Sequence, residues 1–292
     1  SIGVLHCAGH QLWHLHDPAH PWHGLAGPVE GDPLMALYCR VDKVVGEILR
    51  ALPADCRVVC LAGPGSGGNY VRRELLDDIL AKLESGPGTR SRGMGHLLKA
   101  AWYRLPAALR KRSSALAHRI DRQLRASDRS GRNCYPLWTN DSVGGIRINL
   151  EGREPDGRVA PQALDETCEQ LARIMAEIRI DDTGEPLVTD VFPTRSVYQG
   201  PHLDQLPDVL IVWNQNAPFS SVRSQDIGVV TQDKLPDWSG THTGRSLAMI
   251  RVPGGSGGDL PADASLLDIA PTLGAFCGVT LAGVQGRPLF PC

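Results

Sequence analysis

Histidines crowd into the start of the chain in a way that points to metal chemistry. Six of the ten histidines lie within the first 23 residues, where average composition would place about one. They are His6, His10, His14, His16, His20 and His23. Neutral imidazole is the commonest metal ligand in proteins and the commonest acid–base group near neutral pH. The cluster therefore indicates, first of all, a bound metal ion.

Three histidines have positions that suit a single ion. His6 and His10 stand four residues apart after a short apolar segment that is predicted to be a strand, and this spacing aims both rings at one ion if the segment turns helically. His242 lies in a small-residue loop just before a predicted strand, where ligands of α/β proteins collect. Three neutral histidines would leave one coordination position open. We expect these three to hold one divalent ion, with zinc as the expected metal; the alternative is three unrelated surface histidines.

The other histidines near the start have a simpler interpretation. His14, His16, His20 and His23 alternate with tryptophan and proline. We expect them to be loop or packing residues rather than metal ligands.

Apolar periodicity predicts the elements that must position these side chains. Helices are predicted over residues 32–52, 72–83 and 163–178, where apolar residues recur at spacings of three, four and seven, and a short helix over 268–276. Strands are predicted over 56–61, 207–213 and 246–252, and a loop over 62–69. The alternation of strand, loop and helix predicts an α/β fold with a mostly parallel sheet covered by helices.

The middle of the chain is strongly basic. Residues 87–132 contain twelve lysines and arginines and two aspartates, a net charge of +10 in a chain whose total is −2. Helical apolar spacing and flanking Gly/Ser/Arg-rich loops predict a basic helical insertion or lid over residues 85–139, between core segments 1–84 and 140–292. Such a module is either a solvated helical face or a lid that attracts anionic substrates. Nucleic acid is not an expected partner, because no stacking ladder or known motif is present.

Cysteine usage and hydropathy bear on the expected cellular location of the chain. Eight cysteines occur without a Cys-x-x-Cys pair or a disulfide-scaffold rhythm, which is typical of reduced thiols in a cytoplasmic protein. No run of 18 apolar residues exists, so no transmembrane helix is expected. The chain begins at Ser1 without a methionine and runs at once into the histidine cluster, which suggests a chain entered midway. The oligomeric state cannot be inferred from these features.

Several segments, in order, resemble one family. The His-x-x-Gly-His run beginning at His6 is similar to the Asp-x-x-Gly-His metal motif of the alkaline phosphatase superfamily, in its type I phosphodiesterase and nucleotide pyrophosphatase branch. Residues 38–49, 145–157, 206–208, 239–242, 268–272 and 286–289 resemble later landmarks of that family. The resemblance covers nearly the whole chain and implies a three-layer α/β/α sandwich.

The resemblance also assigns roles to individual residues. His10 and His242 match two histidine ligands of one family metal site, and His6 stands where many members have aspartate, which histidine can replace. The family's Asp-His-Gly, which serves a second metal, corresponds to residues 63–65, where Gly63 and Pro64 offer no side-chain ligand. The family nucleophile, a Thr or Ser, precedes the histidine motif and has no counterpart after Ser1.

Two functions follow as expectations. The first is a metal-dependent phosphodiesterase or phosphohydrolase acting on a small anionic phosphate ester, present here without its nucleophile region. The second is a catalytically degenerate family member that keeps one metal and acts as a binding or interaction module. The retained histidines favour the first, and Gly63 and Pro64 favour the second.

Overall fold

A computed structural model describes residues 3–25, 27–72, 74–86, 131–137, 139, 142–232, 238–255 and 257–290. The chain divides into two compact units. Unit 1 comprises Ser1–Tyr38 and Ser66–Thr243, and unit 2 comprises Cys39–Gly65 and Gly244–Cys292. Among the described residues, no helix is long and apolar enough to cross a membrane. The predicted basic insertion falls almost entirely on residues 87–130, which lie outside the described ranges.

Four of the helices match the segments that were predicted to be helical, namely the second, third, fourth and sixth in chain order. The helices are α1 (Val4–His16), α2 (Pro33–Ala51), α3 (Leu75–Ser85), α4 (Leu164–Glu177), the single turn α5 (Thr194–Val197) and α6 (Ile269–Phe276). Helix α4 shows why the prediction succeeds. Its buried residues recur at spacings of three and four, so that one face meets the core. They are Leu164, Cys168, Leu171, Ala172 and Met175.

The strands form four small sheets. They are β1 (Val58–Ala62), β2 (Gly65–Gly68), β3 (Cys134–Leu137), β4 (Val143–Ile148), β5 (Arg179–Ile180), β6 (Val188–Pro193), β7 (Val209–Trp213), β8 (Ser221–Ser224), β9 (Gly228–Thr231), β10 (Gly240–Thr243) and β11 (Leu247–Arg251). Unit 1 contains a four-stranded sheet in the order β3-β4-β7-β6 and a three-stranded sheet in the order β5-β8-β9. Strand β2 pairs with β10, and β1 pairs with β11 in unit 2.

The predicted mostly parallel sheet of a three-layer sandwich is wrong. Strands β3, β4, β7 and β6 pair antiparallel throughout, as do β5, β8 and β9, and β1 with β11. Short connections explain this, since β3 leads into β4 and β8 into β9 within a few residues, and such hairpins can join only antiparallel strands. Strand β7 also alternates between buried and half-buried residues, the pattern of an antiparallel sheet rather than of a strand buried on both faces.

Two local predictions also differ from the structure. The first residues were predicted to be a strand, yet α1 begins at Val4, because the histidines that follow continue one helix through His16. The loop predicted over residues 62–69 contains strand β2, whose composition of three glycines and one serine carries no β-strand signal.

The hydrophobic core belongs to unit 1. Helix α4 packs against β6 and β7, and α3 packs against β3 and β9. The largest fully buried side chains come from these elements and from the segments that join them. They are Leu75, Ile79, Leu80, Ile146, Ile148, Met175, Ile178, Leu187, Val209, Ile211, Val222 and Ile227.

Unit 2 is built differently. Among its described residues Pro271 is the one buried apolar side chain, and many large hydrophobic side chains are exposed by two fifths or more. These are Val44, Ile48, Leu61, Leu247, Met249, Leu266, Leu267, Leu273, Val279, Leu281 and Val284. Its regular structure consists of the β1–β11 pair, most of α2, and α6 with the turn that precedes it.

Candidate metal centre

The structure brings the three predicted ligands together. One ligand atom from each of His6, His10 and His242 lies within 4.8 Å of the other two. The ring centroids are 4.9 Å apart for His6 and His10, 5.1 Å for His6 and His242, and 4.7 Å for His10 and His242. Among the described residues this is the one group of three or more His, Cys, Asp or Glu side chains with such a spacing.

Two elements of unit 1 present these rings. His6 and His10 lie one turn apart on α1, so that both point from the same face of the helix. His242 lies within β10, which pairs with β2. The helical turn that the spacing of His6 and His10 required is therefore present, although the strand predicted for this segment is not.

Glycine allows α1 and β10 to approach closely. A Cβ atom on Gly240 would lie 2.1 Å from the carbonyl oxygen of Gly9, a distance that no side chain tolerates. The helix backbone at Gly9 thus rests directly on the first residue of β10. This contact sets His10 beside His242.

A hydrogen bond orients the His10 ring. Its Nδ1 lies 2.8 Å from the carbonyl oxygen of Gly240 and donates to it. The other nitrogen, Nε2, then carries the lone pair that a metal needs. Ligating histidines in proteins are held in the same way, by a carbonyl or carboxylate behind the ring.

Ser239, which directly precedes β10, is hydrogen-bonded to α1. It is fully buried, and its hydroxyl donates to the carbonyl oxygen of His10 at 3.2 Å. His14 Nδ1 lies 3.0 Å from that hydroxyl oxygen and donates to it. Burial lowers the pKa of His14 more than its bond to the Gln11 backbone raises it, which favours the neutral ring. His14 therefore supports the centre without being one of its ligands.

His20 lies in the loop that follows α1, and its side chain is buried. Its exposed fraction is 2%, and its Nδ1 accepts a hydrogen bond from the Trp22 backbone at 3.0 Å. Burial lowers the pKa of His20 more than hydrogen bonding to the Asn69 backbone raises it. The Tyr70 hydroxyl packs nearby and donates to Asp17 at 3.0 Å, and burial raises the pKa of Tyr70 to about 12.

The two remaining histidines of the opening run, His16 and His23, make structural contacts. His16 Nδ1 donates to Asp32 at 2.6 Å, while the other oxygen of Asp32 accepts from the backbone of Met35 in the first turn of α2. These two bonds, that of the Met35 backbone before that of His16, lower the pKa of Asp32. His23 donates to the carbonyl of His14. His16 and His23 thus fix the path of the chain between helices.

Polar residues in the segments that resemble the family's later landmarks make structural contacts. Asp208 accepts from the backbone of Ile148 and from the guanidinium of Arg153, and Arg147 donates to the carbonyls of residues 204 and 206. Asp268 forms a capping box with Ser265 before α6. None of these residues belongs to the histidine cluster.

The sequence did not predict the supporting roles of three residues. Gly240 and Ser239 act through a carbonyl, a missing Cβ and a buried hydroxyl, none of which has a sequence pattern. Asn69 holds the same segment, because its backbone N–H donates to Ser239 O at 3.0 Å and its amide to Trp238 O at 3.1 Å. The Ser-Gly-Thr-His run itself was the one available signal.

Comparisons with protein-family models, with curated proteins and with solved structures give no significant match to this chain.

Proposed function

We propose that His6, His10 and His242 bind one zinc ion and that this centre serves the hydrolysis of a small phosphate ester. The observation that carries the proposal is the convergence of three imidazoles from two segments at opposite ends of the chain. A bound zinc ion would supply a Lewis acid that polarises a phosphoryl oxygen. The sequence resemblance to phosphodiesterases of the alkaline phosphatase superfamily supports this choice of substrate.

The donor set fits zinc. Imidazole suits zinc among the biological metals, and three protein ligands with an open fourth position are typical of catalytic rather than structural sites. Zn–N bonds of about 2.0–2.1 Å in a tetrahedron separate ligand atoms by roughly 3.4 Å. The His6 ring is exposed. Rotation of this ring can therefore bring its ligand nitrogen closer to those of His10 and His242, which lie within 4.8 Å of it, without moving the backbone of α1.

The chain's own groups organise this site. The Gly240 carbonyl keeps the proton of His10 on Nδ1, and Gly9 and Gly240 hold α1 against β10. Ser239 and His14 form a second hydrogen-bonded layer behind the ligands. Since the His10 ring is oriented before any ion binds, this ligand loses little conformational entropy on binding.

Zinc titration tests the metal site directly. We expect one zinc ion per chain, and we expect His242→Ala to weaken zinc binding more than about 100-fold, beyond what loss of a supporting residue costs. His202→Ala is the matched control, because His202 lies in unit 1, is exposed and has its ring 3.2 Å from the side-chain amide of Gln205, outside the histidine cluster. Equal zinc affinity in wild type and His242→Ala would refute the site.

A second candidate function shares the metal but lacks turnover. Gly63 and Pro64 offer no ligand where the resembling family binds a second metal, which favours a module that binds one ion and a partner. Zinc-dependent hydrolysis of an aryl phosphate ester, lost in His242→Ala and kept in His202→Ala, would support the hydrolase. One tightly bound zinc ion without hydrolysis would support the binding module.

A further inference from the structure

An exposed tryptophan stands beside the candidate metal centre. Trp238 is 44% exposed, and its ring centroid lies 6.3 Å from that of His10, with the two planes at 61°. Trp13 and Trp22 are half-buried and Trp213 is buried, so Trp238 is the exposed tryptophan among those that the structure describes. A ligand that covered the exposed apolar surface of this side chain would gain binding free energy.

The backbone of Trp238 is held firmly. Its carbonyl accepts from the side-chain amide of Asn69, which is 3% exposed, and the next carbonyl accepts from the Asn69 backbone. The tryptophan is thus anchored two residues before Gly240, whose carbonyl orients His10, and four before His242 itself. Trp238 and His242 therefore belong to one anchored segment.

We infer that Trp238 forms the subsite for a planar aromatic ring carried by the phosphate ester. This inference rests on the proposed function. A phosphate oxygen bound to the proposed ion would leave the ester group one linkage away, and the indole that flanks His10 at 6.3 Å lies within reach of a ring attached there. Aromatic rings stack on indole faces, and the apolar indole gives no comparable advantage to a small alkyl group. Trp238 is therefore a specificity residue, not a metal ligand.

Binding to the zinc-loaded full chain tests the subsite with two matched probes. Phenyl phosphate and methyl phosphate carry the same phosphate group and differ in the ring. We expect phenyl phosphate to bind about tenfold tighter than methyl phosphate, the range that aromatic stacking supplies. Trp238→Ala should abolish this ratio, and Trp238→Phe should keep most of it. Calorimetry gives each affinity without any turnover.

Zinc affinity separates the failure of the subsite from failure of the centre. It should be the same in wild type, Trp238→Ala and Trp238→Phe, because Trp238 supplies no ligand atom. If no variant binds zinc, the centre is wrong and the subsite falls with it. If zinc binds but neither phosphate probe does, or if the phenyl-to-methyl ratio is one in wild type or unchanged in Trp238→Ala, the subsite is wrong.

A third probe identifies which ring the subsite takes. Adenosine monophosphate places its base beyond a ribose, whereas phenyl phosphate joins ring and phosphate directly. Because the indole flanks a ligand histidine, we expect the directly joined ring to depend more on Trp238. A larger loss for adenosine monophosphate in Trp238→Ala would overturn that assignment and indicate a nucleotide-binding subsite.

Discussion

The two units of the chain hold their backbones by different means. Unit 1 buries a continuous apolar core and carries the histidine cluster, whereas the described residues of unit 2 bury a single apolar side chain, that of Pro271. In unit 2, Arg251 donates to the carbonyls of Leu49, Pro53 and Cys56, and so satisfies groups at and beyond the end of α2. Arg57 donates to the carbonyl of Phe276 and lies over its ring.

This contrast shows where precise geometry can be maintained. A ligand cluster needs side chains held within a fraction of an ångström, and a packed core supplies that rigidity. Arginine-to-carbonyl bonds at a partly exposed surface connect segments but exclude little water. The centre accordingly lies in the unit with the core.

The largest expected effect comes from the core itself. Ile211→Ala in β7 removes a fully buried side chain and should lower the free energy of unfolding by about 2–5 kcal/mol. Leu273→Ala in α6 of unit 2 removes a side chain that is 44% exposed and should cost less than about 1 kcal/mol. Urea unfolding of both variants measures the difference. Equal losses would show that unit 2 has a core of its own.

A smaller effect is expected where α1 meets β10. Gly240→Ala places a methyl group against the carbonyl of Gly9 and should cost about 1–3 kcal/mol by overpacking. It should also weaken zinc binding, because α1 must move away. Gly244→Ala is the matched control in unit 2, since its Cβ would meet nothing within 4 Å and its φ is not positive. Comparable losses of zinc affinity in both variants would contradict this account.

The smallest effect concerns pH. Burial lowers the pKa of His14 and of His20 below the ordinary value of 6.5, so both rings are neutral in the folded chain. Their contribution to stability is complete above pH 6.5. This contribution is lost as the pH falls from 6.5 through the lowered pKa values that the two rings have in the folded state, because the unfolded chain then binds more protons than the folded chain. Unit 2 contains no histidine, so this loss belongs to unit 1.

Hydrogen exchange can locate that loss. After correction for the intrinsic exchange rate, the protection of backbone amides should fall more in β10 than in β11 between pH 7 and pH 5. His20→Gln should reduce the difference, because the groups that face His20, namely His14, Asp17 and Tyr70, then meet an uncharged amide. An undiminished difference in that variant would assign the effect to other groups.

Periodic segments were the predictable part of the fold. Helices α2 and α4 begin and end within two residues of their predicted bounds, since their apolar residues repeat over several turns. Strand direction was not predictable in this way. The apolar run of β7 fits either direction, and only its neighbours β4 and β6 decide it.

The candidate site was predictable in its ligands and not in its supports. Histidines stand out by type, and the four-residue spacing of His6 and His10 and the small-residue loop around His242 distinguish these three. Ser239 and Gly240 act through groups that every residue or many residues possess, a carbonyl, a hydroxyl and the absence of a side chain. Their roles emerge only when α1 and β10 are seen in contact.

The contact between His10 and Gly240 spans 230 positions of the chain. During synthesis, His6 and His10 leave the ribosome long before β10 exists, so the opening helix alone offers an ion only two of its three imidazoles. If the cluster binds zinc as proposed, tight loading must wait until β10 has been made and unit 1 has folded. The metal would then report on the folding of unit 1, and a chain that stops before β10 would lack the third imidazole.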